Sequence, residues 1–185
     1  KAGNVRIDGI YFDPVAITAG RLRDRTAIRV GFAAEDYPFH APTGIVDHKF
    51  RPFPDELGTS IAFHQVAYGG YIAEWDFRVP LVAGHVGLTG GVARSDSRNA
   101  DGSGNHGYGT TVRPIIRFAG VEIAPFGSKG GFRKQFNHPL VVVSGPELPD
   151  MPKKRRYLGQ RWAEGRTHTA NYGVTLKAAV TDGLS

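Results

Sequence analysis

The sequence predicts a mainly β chain of antiparallel strands, and three observations lead there. Composition is the first. The 185 residues include 25 glycines and 12 prolines, Leu and Met are scarce, and Val, Ile, Phe, Tyr and Thr recur. That mix disfavours helix and suits strands joined by turns. The second is period-two alternation. The third is the placement of Gly and Pro between the alternating runs.

The elements follow in chain order. Val5-Arg6-Ile7 alternates briefly, and Asp8-Gly9 is a turn signal. Residues 17–27 are polar, with room for one helical turn at Arg21-Leu22-Arg23. Residues 27–30 and 45–50 read as short strands flanking a loop, and RPFPDELG, residues 51–58, reads as a linker. Beyond it, residues 71–81 place Tyr71, Ala73, Trp75, Phe77, Val79 and Leu81 on one parity, and Ile72, Glu74, Asp76, Arg78 and Pro80 on the other. This is a strand with an apolar and a polar face. Residues 86–92 repeat the pattern. Residues 108–118 set Val112, Pro114, Ile116 and Phe118 against Thr111, Arg113 and Arg117, and residues 172–180 set Tyr172, Val174 and Leu176 against Thr175 and Lys177. Residues 60–68 and 121–126 alternate less regularly.

Alternation alone leaves two readings open. In a soluble sandwich the polar parity is the solvent face. In a transmembrane barrel the apolar parity meets lipid and the polar parity lines the lumen. Connection lengths bear on the choice. Val82-Ala83-Gly84 and Ala119-Gly120 are short links. SDSRNADGSGNHG, residues 95–107, is expected to be a longer loop, and about forty residues after 127 lack clear alternation. Short turns at one end and long loops at the other are typical of outer-membrane barrels, although the hairpin at Gly69-Gly70 is short on the long-loop side.

Charge and motifs exclude several classes. Lys and Arg number 23 against 17 Asp and Glu, a formal charge of +6, which favours acidic partners. The absence of cysteine excludes disulfides and thiolate metal sites. No apolar run is long enough for a membrane helix. The opening KAGNVRIDGIYFD reads as the middle of a strand and turn, so the chain is expected to begin inside a larger protein. KKRRYLGQRW, residues 153–162, is the sharpest basic run. Without a nucleic-acid-binding fold signature it reads as a solvated loop, with Trp162 as a stacking candidate. The seven histidines show no metal-ligand spacing. GSGNHGYG, residues 102–109, lacks the strand-to-helix context and the lysine of a phosphate loop. No catalytic constellation is visible, so no enzyme, cofactor, metal site or nucleic-acid partner is expected.

Taken in order, these segments resemble a TonB-dependent outer-membrane receptor. The Ile7-Asp8-Gly9 turn is followed by the Ile28-Arg29-Val30-Gly31 strand end. Then come a loop bearing Tyr37 and the Thr43-Gly44-Ile45-Val46-Asp47 strand, which resemble the second half of that family's plug domain. The linker and the strand bearing Glu74, Asp76 and Pro80-Leu81 resemble its first barrel hairpin. The family's double glycine stands here as Thr43-Gly44. The resemblance implies part of a plug domain (1–53), followed by the first antiparallel strands and extracellular loops of a transmembrane β-barrel (54–185). It implies transport across a bacterial outer membrane, energised through TonB. The expected partners are a ferric siderophore or other scarce small nutrient, outer-membrane lipid and lipopolysaccharide. Ligand-binding candidates are Tyr37 and His40 in the plug loop, Arg113 and Arg117 on the lumen parity, and Trp162. For both arginines, a role in pairing with the plug is the simpler reading. The alternative is a soluble all-β ligand-binding module, a sandwich or small barrel.

Overall fold

A computed structural model describes residues 5–11, 22–34, 44–136, 145–147, 157, 159–160 and 162–178. Tyr37, His40 and the basic run at 153–156 lie outside them. The described residues are mainly β and form a four-stranded and a six-stranded sheet.

The smaller sheet contains β1 (Val5–Ile7), β2 (Ile10–Tyr11), β3 (Arg23–Arg29) and β4 (Ile45–Phe50), in the order β2-β1-β4-β3. β1 runs parallel to β4, and the other pairs are antiparallel. Asp8 (φ 50°) and Gly9 (φ 83°) make the two-residue turn between β1 and β2. Both central residues are left-handed, as a type I′ hairpin requires, and Asp-Gly meets that need at low cost. The turn is fastened to β4. Asp8 Oδ1 accepts the Phe50 N–H at 3.2 Å, and Asp47 Oδ1 accepts the Gly9 N–H at 3.0 Å. Of the expected helical turn at Arg21-Leu22-Arg23, Leu22 is in 3-10 conformation, Arg21 lies outside the described residues, and Arg23 begins β3. Pairing of Arg23 with Phe50 and of Thr26 with His48 along β4 holds the strand.

The larger sheet is a continuous antiparallel meander. It contains β5 (Gly58–Val66), β6 (Gly70–Val82), β7 (Val86–Arg98), β8 (Gly104–Phe118), β9 (Val121–Phe136) and β10 (Glu164–Ala178). The strands run longer than their alternation suggests. The expected loop at 95–107 shrinks to residues 99–103, because Asp96 pairs with His106 and Arg98 with Gly104 in register. Two turns, at residues 83–85 and 119–120, stand at one end. Ala119 (φ 49°) and Gly120 (φ 77°) again supply a type I′ geometry. At the opposite end lie residues 67–69 and 99–103, the end of β9 and the start of β10, hereafter the loop end.

Register shows which side chains share a face. Trp75 lies beside Ile61 and Val92, Ile116 beside Val86 and Ile123, and Ile123 beside Leu176. This apolar face is bare: Ile61 is 81% exposed, Phe118 78%, Leu176 65% and Ile116 44%. The opposite face carries Asp76, Thr89, Thr111, Arg113, Ser128 and Thr175, all buried. The smaller sheet and the linker cover it. Phe50 packs edge-on to Phe126 with ring centroids 5.0 Å apart. Two small apolar clusters form there, one of Ile7, Leu22, Phe50 and Phe126, the other of Phe53, Ile115 and Ala124.

Candidate functional site

The covered face of the larger sheet is where charge and contact converge. Strand alternation aims Arg113, Ile115 and Arg117 of β8 at it, with Phe126, Ala124 and Glu122 of β9 beside them in register. Arg113 is 1% exposed. Its guanidinium donates to the Arg51 carbonyl at 2.8 Å, lies 5.0 Å over the Phe50 ring and stands 3.7 Å from Glu122. Arg117 donates to Glu122 at 2.9 Å and covers the Phe53 ring at 4.4 Å. One carboxylate thus serves two guanidinium groups, and both touch the segment that leaves β4.

Two further bridges join the sheets. Arg51 donates to Asp76 Oδ1 at 2.7 Å, while Ser60 donates to Asp76 Oδ2 at 2.7 Å. Lys177 of β10 meets Asp8 of the β1–β2 turn at 3.3 Å. The contacts therefore extend from β5–β6 across to β10. Beside the first bridge lies a polar cavity of about 610 Å³, whose lining includes Asp24, Arg51, Asp55, Glu56, Asp76 and Arg78.

A second cavity, of about 490 Å³, opens at the loop end. Tyr68, Asp96, Arg98, Asn105, His106 and Lys134 are among its walls. Asp96 organises it, accepting from Arg98 at 2.7 Å and standing 3.3 Å from His106 Nδ1. The loop below is held by Asp101, which accepts from the Ser103 amide and hydroxyl at 2.9 and 2.6 Å. Among the described residues no group of His, Asp and Glu is arranged to hold a metal ion.

The structure brings together two of the sequence candidates, Arg113 and Arg117, and both are engaged in holding the smaller sheet. Trp162 is 80% exposed, just before β10 and apart from them. Tyr37 and His40 fall outside the described residues. The Arg51–Asp76 and Asp8–Lys177 bridges and the loop-end cavity were not anticipated. Parity placed Asp76 and Lys177 on the polar face, but a partner from another sheet leaves no trace in local sequence.

No family model, curated protein or solved structure matches the chain.

Proposed function

We propose that the chain is the C-terminal part of a plug domain and the first strands of the surrounding barrel of a TonB-dependent receptor. On this reading it lies in a bacterial outer membrane and takes up a ferric siderophore or similar scarce nutrient. One observation carries the reading: the polarity of the six-stranded sheet is inverted. Large apolar side chains such as Ile61, Phe118 and Leu176 are exposed, whereas Asp76, Thr89, Thr111, Arg113, Ser128 and Thr175 are buried. A sheet built for water does the reverse, whereas a barrel strand presents its apolar parity to lipid.

Dimensions support it. β6 has 13 residues, which at ~3.3 Å each span roughly 43 Å. A tilt of about 45° brings that to roughly 30 Å, the hydrocarbon thickness of a bilayer. The covering sheet also behaves as a plug would, because it meets the inner face through ion pairs and directed hydrogen bonds. In this arrangement the loop end faces the outside of the cell, and the ligand enters along the covered, polar face of the sheet. The polar cavity beside Asp76 lies toward the periplasm, where TonB would act on the plug. Transport, not catalysis, is the activity.

The test is the behaviour of the intact protein with and without detergent, followed by titration with ferric chelates. The expected result is solubility in detergent alone and saturable binding of one chelate class. A monodisperse, folded protein in plain buffer would sink the membrane reading and restore the soluble β module.

A further inference from the structure

The linker between the two sheets is pinned partway along its length. RPFP, residues 51–54, sets Arg51 and Phe53 each before a proline, which biases both residues to extended backbone and lowers the entropy lost when the segment is held. Phe53 and Pro54 are buried, Pro52 is exposed, and Asp55, Glu56 and Leu57 are exposed before β5 begins. The Phe53 ring is 3% exposed, packs with Ile115 and Ala124, and lies under the Arg117 guanidinium at 4.4 Å. Pro54 fills a notch that Gly87 leaves in β7. A Cβ on Gly87 would stand 2.6 Å from Pro54 Cδ and 3.1 Å from Phe53 Cε2. Gly87 faces Ile115 in register, so notch and ring pocket make one seat on the larger sheet.

The residues just before the seat belong to the smaller sheet. The Arg51 N–H donates to the Leu22 carbonyl at 2.8 Å, and Phe50 sits in the cluster with Ile7, Leu22 and Phe126. That cluster and the Phe53 cluster share no residue. Arg51 reaches the larger sheet through polar contacts, its side chain to Asp76 and its carbonyl to Arg113. Water can replace each of these as it opens, but it cannot replace the packing around Phe53. The boundary between the two attachments falls at Pro52, whose ring fixes φ and leaves few dihedrals for a swing.

We propose that Phe53 and Pro54 are a fixed pivot. The smaller sheet lifts from the covered face by parting Phe50 from Phe126 and by breaking the Arg51–Asp76, Arg113–Arg51 and Asp8–Lys177 contacts. The strap stays in its seat meanwhile and returns the sheet to the same register. Arg51, Phe53, Pro54 and Asp76 all border the polar cavity of about 610 Å³, so lifting widens that cavity from one side. The smaller sheet is then a hinged cover and not a detachable body. The inference goes beyond the membrane reading and does not depend on it, because every contact lies on the covered face.

The chain has no cysteine, so introduced thiols report without background. The double variant Ile7→Cys/Ala124→Cys sets one thiol among Leu22, Phe50 and Phe126 and the other beneath the Phe53 ring. The intact protein, in the buffer or detergent that keeps it folded, meets iodoacetamide at rising urea, and peptide masses give the labelling rate at each position. Both thiols sit in one molecule, so loosening caused by the substitutions is common to both rates. The expected result is labelling at position 7 while position 124 is still protected, with rates apart by roughly tenfold or more, a gap of about 1.4 kcal/mol. Adding Gly87→Leu should evict Pro54 and bring the two rates together. If Gly87→Leu fails to fold, Pro54→Gly empties the notch without added bulk and should do the same. Ile115→Cys replaces Ala124→Cys if the added sulfur is not accommodated. Equal rates in the double variant, or faster labelling at position 124, would overturn the pivot, since the strap would then leave with the sheet. A position 124 that stays protected with the notch blocked or emptied would overturn Gly87 and Pro54 as the seat.

Discussion

Ile116→Arg separates lipid from water as the solvent of the outward face. Ile116 lies in the exposed apolar run of β8, two residues before the strand ends at Phe118, is 44% exposed, and has Val86 and Ile123 beside it in register. In water the substitution costs about 1 kcal/mol or less, because the arginine stem covers the same neighbours while its head is hydrated. In lipid the head lies within the apolar band, where an arginine costs up to about 2–4 kcal/mol. At 1.36 kcal/mol per tenfold, that is a loss of roughly 30- to 1,000-fold in the folding equilibrium. Thr110→Arg is the control. It lies on the same strand and face, beside Lys129 at the edge of the band, and should cost about 0–1 kcal/mol. The assay is denaturant unfolding of the protein in phospholipid bilayers, followed by tryptophan fluorescence and gel mobility. Equal, small effects at residues 110 and 116 would refute the reasoning, because depth would then have no meaning.

Three further predictions follow from the inner face and the turns. Arg113→Ala removes a buried cation from the Arg51 carbonyl and from Glu122, and should cost about 3–5 kcal/mol. Arg113→Met should cost clearly less in the same unfolding assay, since it keeps the volume and Arg117 still neutralises Glu122. His48 of β4 has its pKa lowered below 6.5, chiefly by burial and then by Arg23, against an opposing pull from Asp47. Its neutral ring accepts from Arg23 and bonds Thr26 at 2.8 Å. A lowered folded value means that this stabilisation is present above about pH 6.5 and is lost as pH falls through the folded value. The protection factors of the β3 and β4 amides, corrected for the intrinsic pH dependence of exchange, should therefore fall between pH 7 and pH 5, and His48→Gln should flatten the profile. Ala119→Gly relieves a left-handed alanine at φ 49° and should raise stability by about 1 kcal/mol. An unchanged denaturation midpoint would refute the strain.

Some of this was legible in the sequence. The alternation of residues 71–81 and 108–118 located β6 and β8, and Asp8-Gly9 and Ala119-Gly120 marked turns that form. β9 was harder. Gly127, Gly130 and Gly131 empty its pattern, so the strand seemed to end ten residues early. The segment 95–107 is rich in Ser, Asp, Asn and Gly, which signals a loop, yet pairing with neighbours on both sides extends the strands into it. At Arg23 antiparallel pairing with Phe50 ended the helical turn and began the strand. Arg113 and Arg117 were visible as inward cations. Arg51, Asp8 and the Phe50 ring that engage Arg113 or cross between the sheets were not, because their meeting depends on how two sheets stack.

The seam between the two sheets has a mechanical consequence. Its apolar clusters are small, and much of the remainder is ion pairs and single hydrogen bonds such as Arg51–Asp76, Asp8–Lys177 and Arg113 to the Arg51 carbonyl. Bonds of this kind lose their strength within an ångström or two of stretch, and water can replace each as it opens. Prising the smaller sheet away would expose little apolar surface, so the step should carry a small heat-capacity change and a steep, short-range resistance to force. Such a joint is stiff at rest and brittle under a directed pull, and it can re-form when the pull stops.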